Sequence, residues 1–254
     1  MNHTPAPPPP SLPFPGSLTE EEEDALPPRS IATITHDSIA AITGIRPVDL
    51  SLYKRAFTHS SSGRQPDYEV LEFLGDSVLG MIIAKYLVDT HPDQDEGFLT
   101  ILRTKLTRSE TLFRYSLKLG LQQFVFMSGK CIYRGYHQSK KILEDVFEAL
   151  IGAIYLDHGL LSAKEFILGV VEKHTDWETM KKNFNYKDIL MRHQHQIQMP
   201  LPKYESIKDE ETRLFNVTIR LNGLVSHGRE KTKKKAEQLA AKDMLQKMGI
   251  PIDE

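Results

Sequence analysis

Tyr68–Gly80 reads YEVLEFLGDSVLG and sets three carboxylates, Glu69, Glu72 and Asp76, into an otherwise apolar run. The spacings i, i+3 and i+7 put the three acids on one stripe of a helix, with Val70, Phe73, Leu74, Val78 and Leu79 supplying apolar surface around it. Acids beside a core repel one another and resist desolvation, so they persist mainly where a cation neutralises them. A metal site is the leading reading, on condition that the chain supplies more acids elsewhere. Asp145 and Glu148 meet the condition. They lie at i, i+3 in KKILEDVFEALIGAIYLD, where Val146, Phe147, Leu150, Ile151 and Ile154 make the helix apolar nearly all round. Such a helix is expected to be buried. If the two helices pack together, Glu72, Asp76, Asp145 and Glu148 could converge into an all-oxygen site for a hard divalent cation, with Mg²⁺ the natural choice and Mn²⁺ able to substitute. That site would suit phosphodiester hydrolysis. Salt bridging or helix capping by the same acids is the alternative.

Outward from this stretch, residues 31–182 carry helical periodicity, in Ser38–Ile45, Leu50–Ser60, Tyr68–Thr90, Leu99–Leu119, Ser139–Asp157 and Ser162–His174, with breakers such as Pro47, Pro92, Gly120 and Gly159 between segments. Residues 1–30 hold PAPPPP and the acidic run Glu20–Asp24, and the expectation there is a disordered tail. Residues 176–184 are polar enough for a linker. After them the period changes. Tyr186–Ile197 and Lys233–Met248 read as helices, and Lys203–Lys208, Leu214–Leu221 and Leu224–Gly228 as strands, with Asn222-Gly223 a two-residue hairpin signal. The order α-β-β-β-α describes a compact α+β module.

The composition is that of a globular chain of 254 residues, with a net charge of −2. The charge is uneven: the tail is acidic, whereas residues 185–254 are net basic, which hints at a polyanionic partner for the C-terminal module. The apolar run Leu79–Val88 is interrupted by Lys85 and falls short of the roughly 20 residues a spanning helix needs, so no membrane association is expected. No signal-peptide pattern is present, and an intracellular location, cytoplasm or nucleus, is the expectation. The single cysteine, Cys131, excludes an internal disulfide.

Three segments in order, RAFTHSS (Arg55–Ser61), LEFLGDSVL (Leu71–Leu79) and DVFEALIGAIYLD (Asp145–Asp157), resemble the ribonuclease III family. The resemblance implies an all-α endonuclease domain over residues 31–175 and, after the linker, a double-stranded-RNA-binding domain over residues 185–250. It further implies that Glu72, Asp145 and Glu148 hold the metal, with Asp76 helping to position it and the attacking water. Asp76 and Glu148 would carry catalysis. Glu69 and Glu96 match accessory acids of the family or are plain surface carboxylates. Lys141 matches a lysine of Dicer-like relatives, as a phosphate contact or a solvated side chain.

Family behaviour implies a homodimer through the nuclease domain, since one acidic cluster cuts one strand of a duplex. Its products would carry 5′-phosphates and short 3′ overhangs. In the C-terminal module, REKTKKKAE (Arg229–Glu237) resembles the element that opens the last helix of double-stranded-RNA-binding domains, which implies that Arg229, Lys231, Lys233 and Lys234 meet RNA phosphates. Arg192 and His195 stand where that family usually offers Glu and Gln, and the loop Lys208–Leu214 lacks the usual Gly-Pro-x-His, so weak minor-groove contact is expected. Two competing classes remain, a protein that sequesters duplexes without cutting them and a catalytically silent ribonucleoprotein scaffold.

Overall fold

The computed structural model describes residues 17–181 and 185–252. The chain divides between Asp176 and Trp177 into two compact units.

The first unit is helical among its described residues: α1 (Glu20–Asp24), α2 (His36–Thr43), α3 (Leu50–Ala56), α4 (Glu69–Thr90), α5 (Glu96–Thr107), α6 (Ser109–Leu119), α7 (Gly129–Tyr133) and α8 (Lys140–His174). The Asp67 carboxylate accepts from the Glu69 amide at 3.2 Å just ahead of α4, and acids in the first turn suit the positive end of the helix. Leu71, Gly75, Val78, Leu79, Ile82, Ile83 and Leu87 form the buried stripe of α4, at the three- and four-residue spacing of one helix face. It packs on α8, where every residue from Asp145 to Ile154 is buried. This is why α8 is long and apolar enough to pass for a membrane span: 56% of its most apolar window lies inside the protein.

The α4–α8 crossing depends on two glycines. A Cβ on Gly75 would fall 1.7 Å from the Glu148 carbonyl oxygen, and one on Gly152 would fall 2.2 Å from that of Leu71. The two backbones therefore touch, each through the other's glycine. On the far side of α8, the Ser116 hydroxyl of α6 donates to the Leu143 carbonyl at 2.6 Å, and Tyr115 packs on Phe147 with ring centroids 5.8 Å apart. The Asp157 carboxylate accepts from the Val48 and Asp49 amides, both at 2.9 Å, and so ties the lead into α3 to α8.

Two local expectations are corrected. The segment Leu99–Leu119 is two helices, because Arg108 is extended (φ −69°, ψ 150°) and the chain restarts at Ser109. The described part of the expected tail, residues 17–30, is structured. Thr19 and Glu22 form a capping box on α1, Arg134 pairs with Glu23 at 2.8 Å, Lys130 pairs with Asp24 at 2.7 Å, and Arg29 bridges to Met127. Residues 1–16 lie outside the described residues. Inside the expected linker, Trp177–Lys181 forms a short helix, α9. The break expected at Gly159 is present: its φ of +78° and ψ of −174° interrupt the helical course of α8.

The second unit continues with α10 (Tyr186–Gln196), β1 (Tyr204–Lys208), β2 (Phe215–Leu221), β3 (Leu224–Glu230) and α11 (Lys233–Lys247). The strands form one antiparallel sheet in the order β1-β2-β3, with Ser206 opposite Val217 and Val217 opposite Gly228. Asn222 and Gly223 turn the β2–β3 hairpin with φ of +50° and +77°, as two-residue turns of this type require. Val217, Ile219 and Leu221 bury one face of β2 against Leu190 of α10 and Ala236, Ala240 and Met244 of α11. Small residues let α11 come close: a Cβ on Gly228 would fall 2.0 Å from the Ala236 carbonyl oxygen.

Candidate active site and nucleic-acid interface

Glu72 stands on α4 one residue after Leu71 and three before Gly75, the two α4 positions at the crossing, and Asp145 and Glu148 stand on the facing turns of α8. One carboxylate oxygen from each of the three lies within 4.8 Å of the others. Asp145 and Glu148 are 5% and 8% exposed, and Glu72 is half-buried. Burial pushes the Glu148 carboxyl up to about 8, helped first by the Asp76 charge and then by Glu144, Glu72 and Asp145. The Glu72 carboxyl is raised for the same reasons, burial first and Asp145 next, with Lys141 opposing. The metal-free cluster is therefore short of positive charge, the condition a divalent cation relieves.

Two further side chains hold Asp145. Lys141 Nζ donates to Asp145 Oδ1 at 2.5 Å and reaches Glu72 Oε1 at 3.5 Å. The buried Tyr68 hydroxyl donates to Asp145 Oδ2 at 3.3 Å, and its own ionisation is pushed upward by burial and by the Asp145 charge. The His59 ring packs edge-on against Tyr68 with centroids 5.7 Å apart, and burial lowers the His59 pKa.

Sequence reasoning proposed four converging acids, and the three-oxygen cluster contains Glu72, Asp145 and Glu148. Asp76 is exposed at the rim, where its charge still reaches Glu148. Glu69 and Glu96 lie outside the cluster. Glu69 is exposed in the first turn of α4, and Glu96 opens α5 and accepts from the Thr100 hydroxyl at 2.8 Å. Gly75, Gly152 and Tyr68 went unremarked as site-builders. The glycines carried a signal, since a glycine inside an apolar helix near acids marks a close backbone approach.

In the second unit, the Thr232 hydroxyl caps α11 by accepting from the Lys235 amide at 3.3 Å, and Lys231, Lys233, Lys234 and Lys235 are all exposed around that helix N-terminus. Cationic side chains and unpaired amides there form an anion-receiving surface. Arg229 is engaged elsewhere: its guanidinium donates to Asp209 at 3.3 Å and to Thr212 at 3.1 Å and braces the β1–β2 loop. On α10, Arg192 pairs with Asp188 at 2.7 Å, while His195 is exposed.

Helices of this kind crossing at paired acids, followed by an α-β-β-β-α module with a lysine-rich last helix, define a nuclease joined to a duplex-RNA-binding domain. Residues 49–173 match the family described as ribonuclease-III-like, and residues 186–248 match the double-stranded RNA binding motif. A protein of Paramecium bursaria Chlorella virus 1 is 41% identical over 88% of this chain and 82% of its own length. Ribonuclease 3 of Chlorobaculum tepidum is 34% identical over 85% of this chain and 83% of its own length. The nuclease domain of ribonuclease III from Campylobacter jejuni, in a structure titled for flexibility in the region involved in dimer formation, superposes with a TM-score of 0.53 at 32% identity, covering 55% of this chain and 97% of its own. The chain belongs to the ribonuclease III family, and its fold and relatives mark it as an endoribonuclease with a double-stranded-RNA-binding domain.

Proposed function

We propose that the chain hydrolyses the phosphodiester bonds of double-stranded RNA as a Mg²⁺-dependent homodimer, leaving 5′-phosphates and short 3′ overhangs. The observation that carries this reading is the convergence of Glu72, Asp145 and Glu148 at the α4–α8 crossing. The donor set fits the ion: three carboxylate oxygens within 4.8 Å of one another, with Asp76 exposed beside them, match an oxygen-seeking Mg²⁺ that keeps several waters. When bound, Mg²⁺ supplies charge neutralisation at the attacked phosphate and a water of lowered pKa. Glu72, Asp145 and Glu148 would hold it. The Tyr68 hydroxyl fixes the Asp145 carboxylate from one side, and Asp76 at the rim would orient the attacking water. Lys231, Lys233, Lys234 and the α11 N-terminus would take phosphates of a duplex read by its A-form shape over ~16 base pairs.

The dimer is supported by the outer face of α4. Phe73 is 77% exposed there, Val70 63% and Met81 51%, and Leu160 and Leu161 line a neighbouring groove of 440 Å³ with Met81 and Tyr86. Apolar surface of this kind calls for a covering partner, and a second copy related by a two-fold axis would place two acid clusters on one duplex.

Incubating the protein with a long RNA duplex and Mg²⁺, beside Glu148→Gln, tests the reading. Cleavage by wild type and its loss in the variant, with duplex binding retained, is the expected result. Binding without cleavage by wild type would leave a sequestering protein instead.

A further inference from the structure

We infer that Lys141 occupies the cation's seat in the metal-free protein, so that a divalent ion binds by displacing its ammonium from Glu72 and Asp145. The inference rests on the metal-site reading above and adds a competitor built into the chain.

The geometry is specific. Lys141 Nζ bridges the two helices, 2.5 Å from Asp145 Oδ1 on α8 and 3.5 Å from Glu72 Oε1 on α4. These are two of the three carboxylates whose oxygens gather within 4.8 Å. Asp145 Oδ2 is already engaged by the Tyr68 hydroxyl at 3.3 Å, so the oxygen Lys141 takes is the one left for an ion. An ion sharing Oδ1 would be repelled by an ammonium on the same oxygen, because the two cations would stand within about 4 Å of each other. The lysine has somewhere to go. Its side chain is 71% exposed in the first turn of α8, and its flexible stem can carry the charge outward at small cost. Neighbouring Glu144 adds its charge to the lysine's surroundings while accepting from the Ser109 hydroxyl at 2.6 Å.

Lys141 thus performs two opposed tasks. In the metal-free protein it neutralises Glu72 and Asp145 across the helix crossing and keeps the donor set assembled against its own repulsion. On loading, the same contacts must be broken, so metal affinity is set lower than three preassembled carboxylates would give. Filling the site exchanges one cation for another, and the ammonium is released at the rim.

Titration of Mg²⁺ and Mn²⁺ into metal-free wild type, Lys141→Met and Lys141→Arg by calorimetry at fixed pH, with the melting temperature of each metal-free protein, tests the inference. Lys141→Met keeps the stem and removes the charge. It is expected to bind both ions about tenfold tighter or more, from loss of one repelling charge, and to melt lower without metal. Lys141→Arg is expected to stay near wild type. Should the Met variant not fold, Lys141→Gln gives the same readouts. Unchanged or weaker binding by the charge-removing variant overturns the inference while leaving the metal site standing. If neither wild type nor the variants bind either ion, the metal-site reading falls and takes the inference with it.

Discussion

Replacing Gly75 with alanine probes the contact that assembles the acids. The new Cβ would sit 1.7 Å from the Glu148 carbonyl oxygen and 2.6 Å from its carbonyl carbon, whereas ordinary contact begins near 3.4 Å. Both obstructing atoms are backbone, so no rotamer change relieves the clash and the helices must part by about 1.5 Å. Overpacking of a core costs roughly 1–3 kcal/mol, against which alanine regains about 1 kcal/mol of helix propensity over glycine. Since the clash is backbone on backbone, a net loss of about 2 kcal/mol is expected, seen as a fall of roughly 5 °C in melting temperature for a domain of this size. Displacing Glu72 from Asp145 and Glu148 by an ångström is worth on the order of 100-fold in cleavage rate, and Mg²⁺ binding weakens with it. Gly169→Ala is the control: that glycine is exposed on α8, nothing stands within 4 Å of the added Cβ, and helix propensity alone should make the variant slightly more stable. Urea and thermal unfolding with parallel metal titration read both variants. A Gly75→Ala protein as stable as wild type, with unchanged metal affinity, would refute the account of the crossing.

Other outcomes follow from the same contacts. Because burial raises the Glu148 carboxyl from 4.5 to about 8, the metal-free folded state holds a proton that the unfolded chain releases; that stabilisation is fully present below about pH 4.5 and is lost as pH rises through about 8. Thermal unfolding should show this decline without metal, a flatter profile in Glu148→Gln, and metal affinity tightening by up to ~tenfold per pH unit across the window as the proton is displaced. Gln194 is fully buried, and neither atom of its amide group has a hydrogen-bond partner among the described residues. Gln194→Leu should therefore stabilise the second unit by about 1–3 kcal/mol in urea unfolding, and a destabilised variant would show the amide to be satisfied. Lys233→Ala with Lys234→Ala should weaken duplex binding across all sequences and reduce the log–log salt slope by about 2, whereas an unaltered slope would remove both lysines from the interface. Phe73→Asp should shift sedimentation from dimer to monomer, and an unchanged dimer would place the interface elsewhere.

The helices and strands were largely legible because their periods are local, as the buried stripe of α4 and the alternating face of β2 illustrate. The convergence of Glu72, Asp145 and Glu148 was also anticipated, because acids in two apolar helices have few other stable arrangements. What escaped reading was partly local and partly long-range. The break at Arg108 follows no proline or glycine; Thr111 donates its hydroxyl to the Lys105 carbonyl at 2.7 Å across it. The helix Glu20–Asp24 looked too polar to order, yet Arg134, Lys130 and the Tyr133 hydroxyl, more than 100 residues away, hold it in place. The structure closes its first turn with a capping box between Thr19 and Glu22, a spacing the composition-based reading did not consider. Arg229, placed among the RNA-facing residues by the resemblance, also braces the β1–β2 loop through Asp209 and Thr212, a contact that no local pattern announced.

The central claim is that Glu72, Asp145 and Glu148 together hold the divalent ion that serves cleavage. Anomalous scattering from crystals of the full chain soaked in Mn²⁺ locates that ion directly. The account predicts a peak bonded to a carboxylate oxygen from each of the three residues at roughly 2.1 Å, with Lys141 Nζ withdrawn from Asp145. A peak bound elsewhere on the chain, or none at the cluster while the protein cleaves duplex RNA in Mn²⁺, would contradict it.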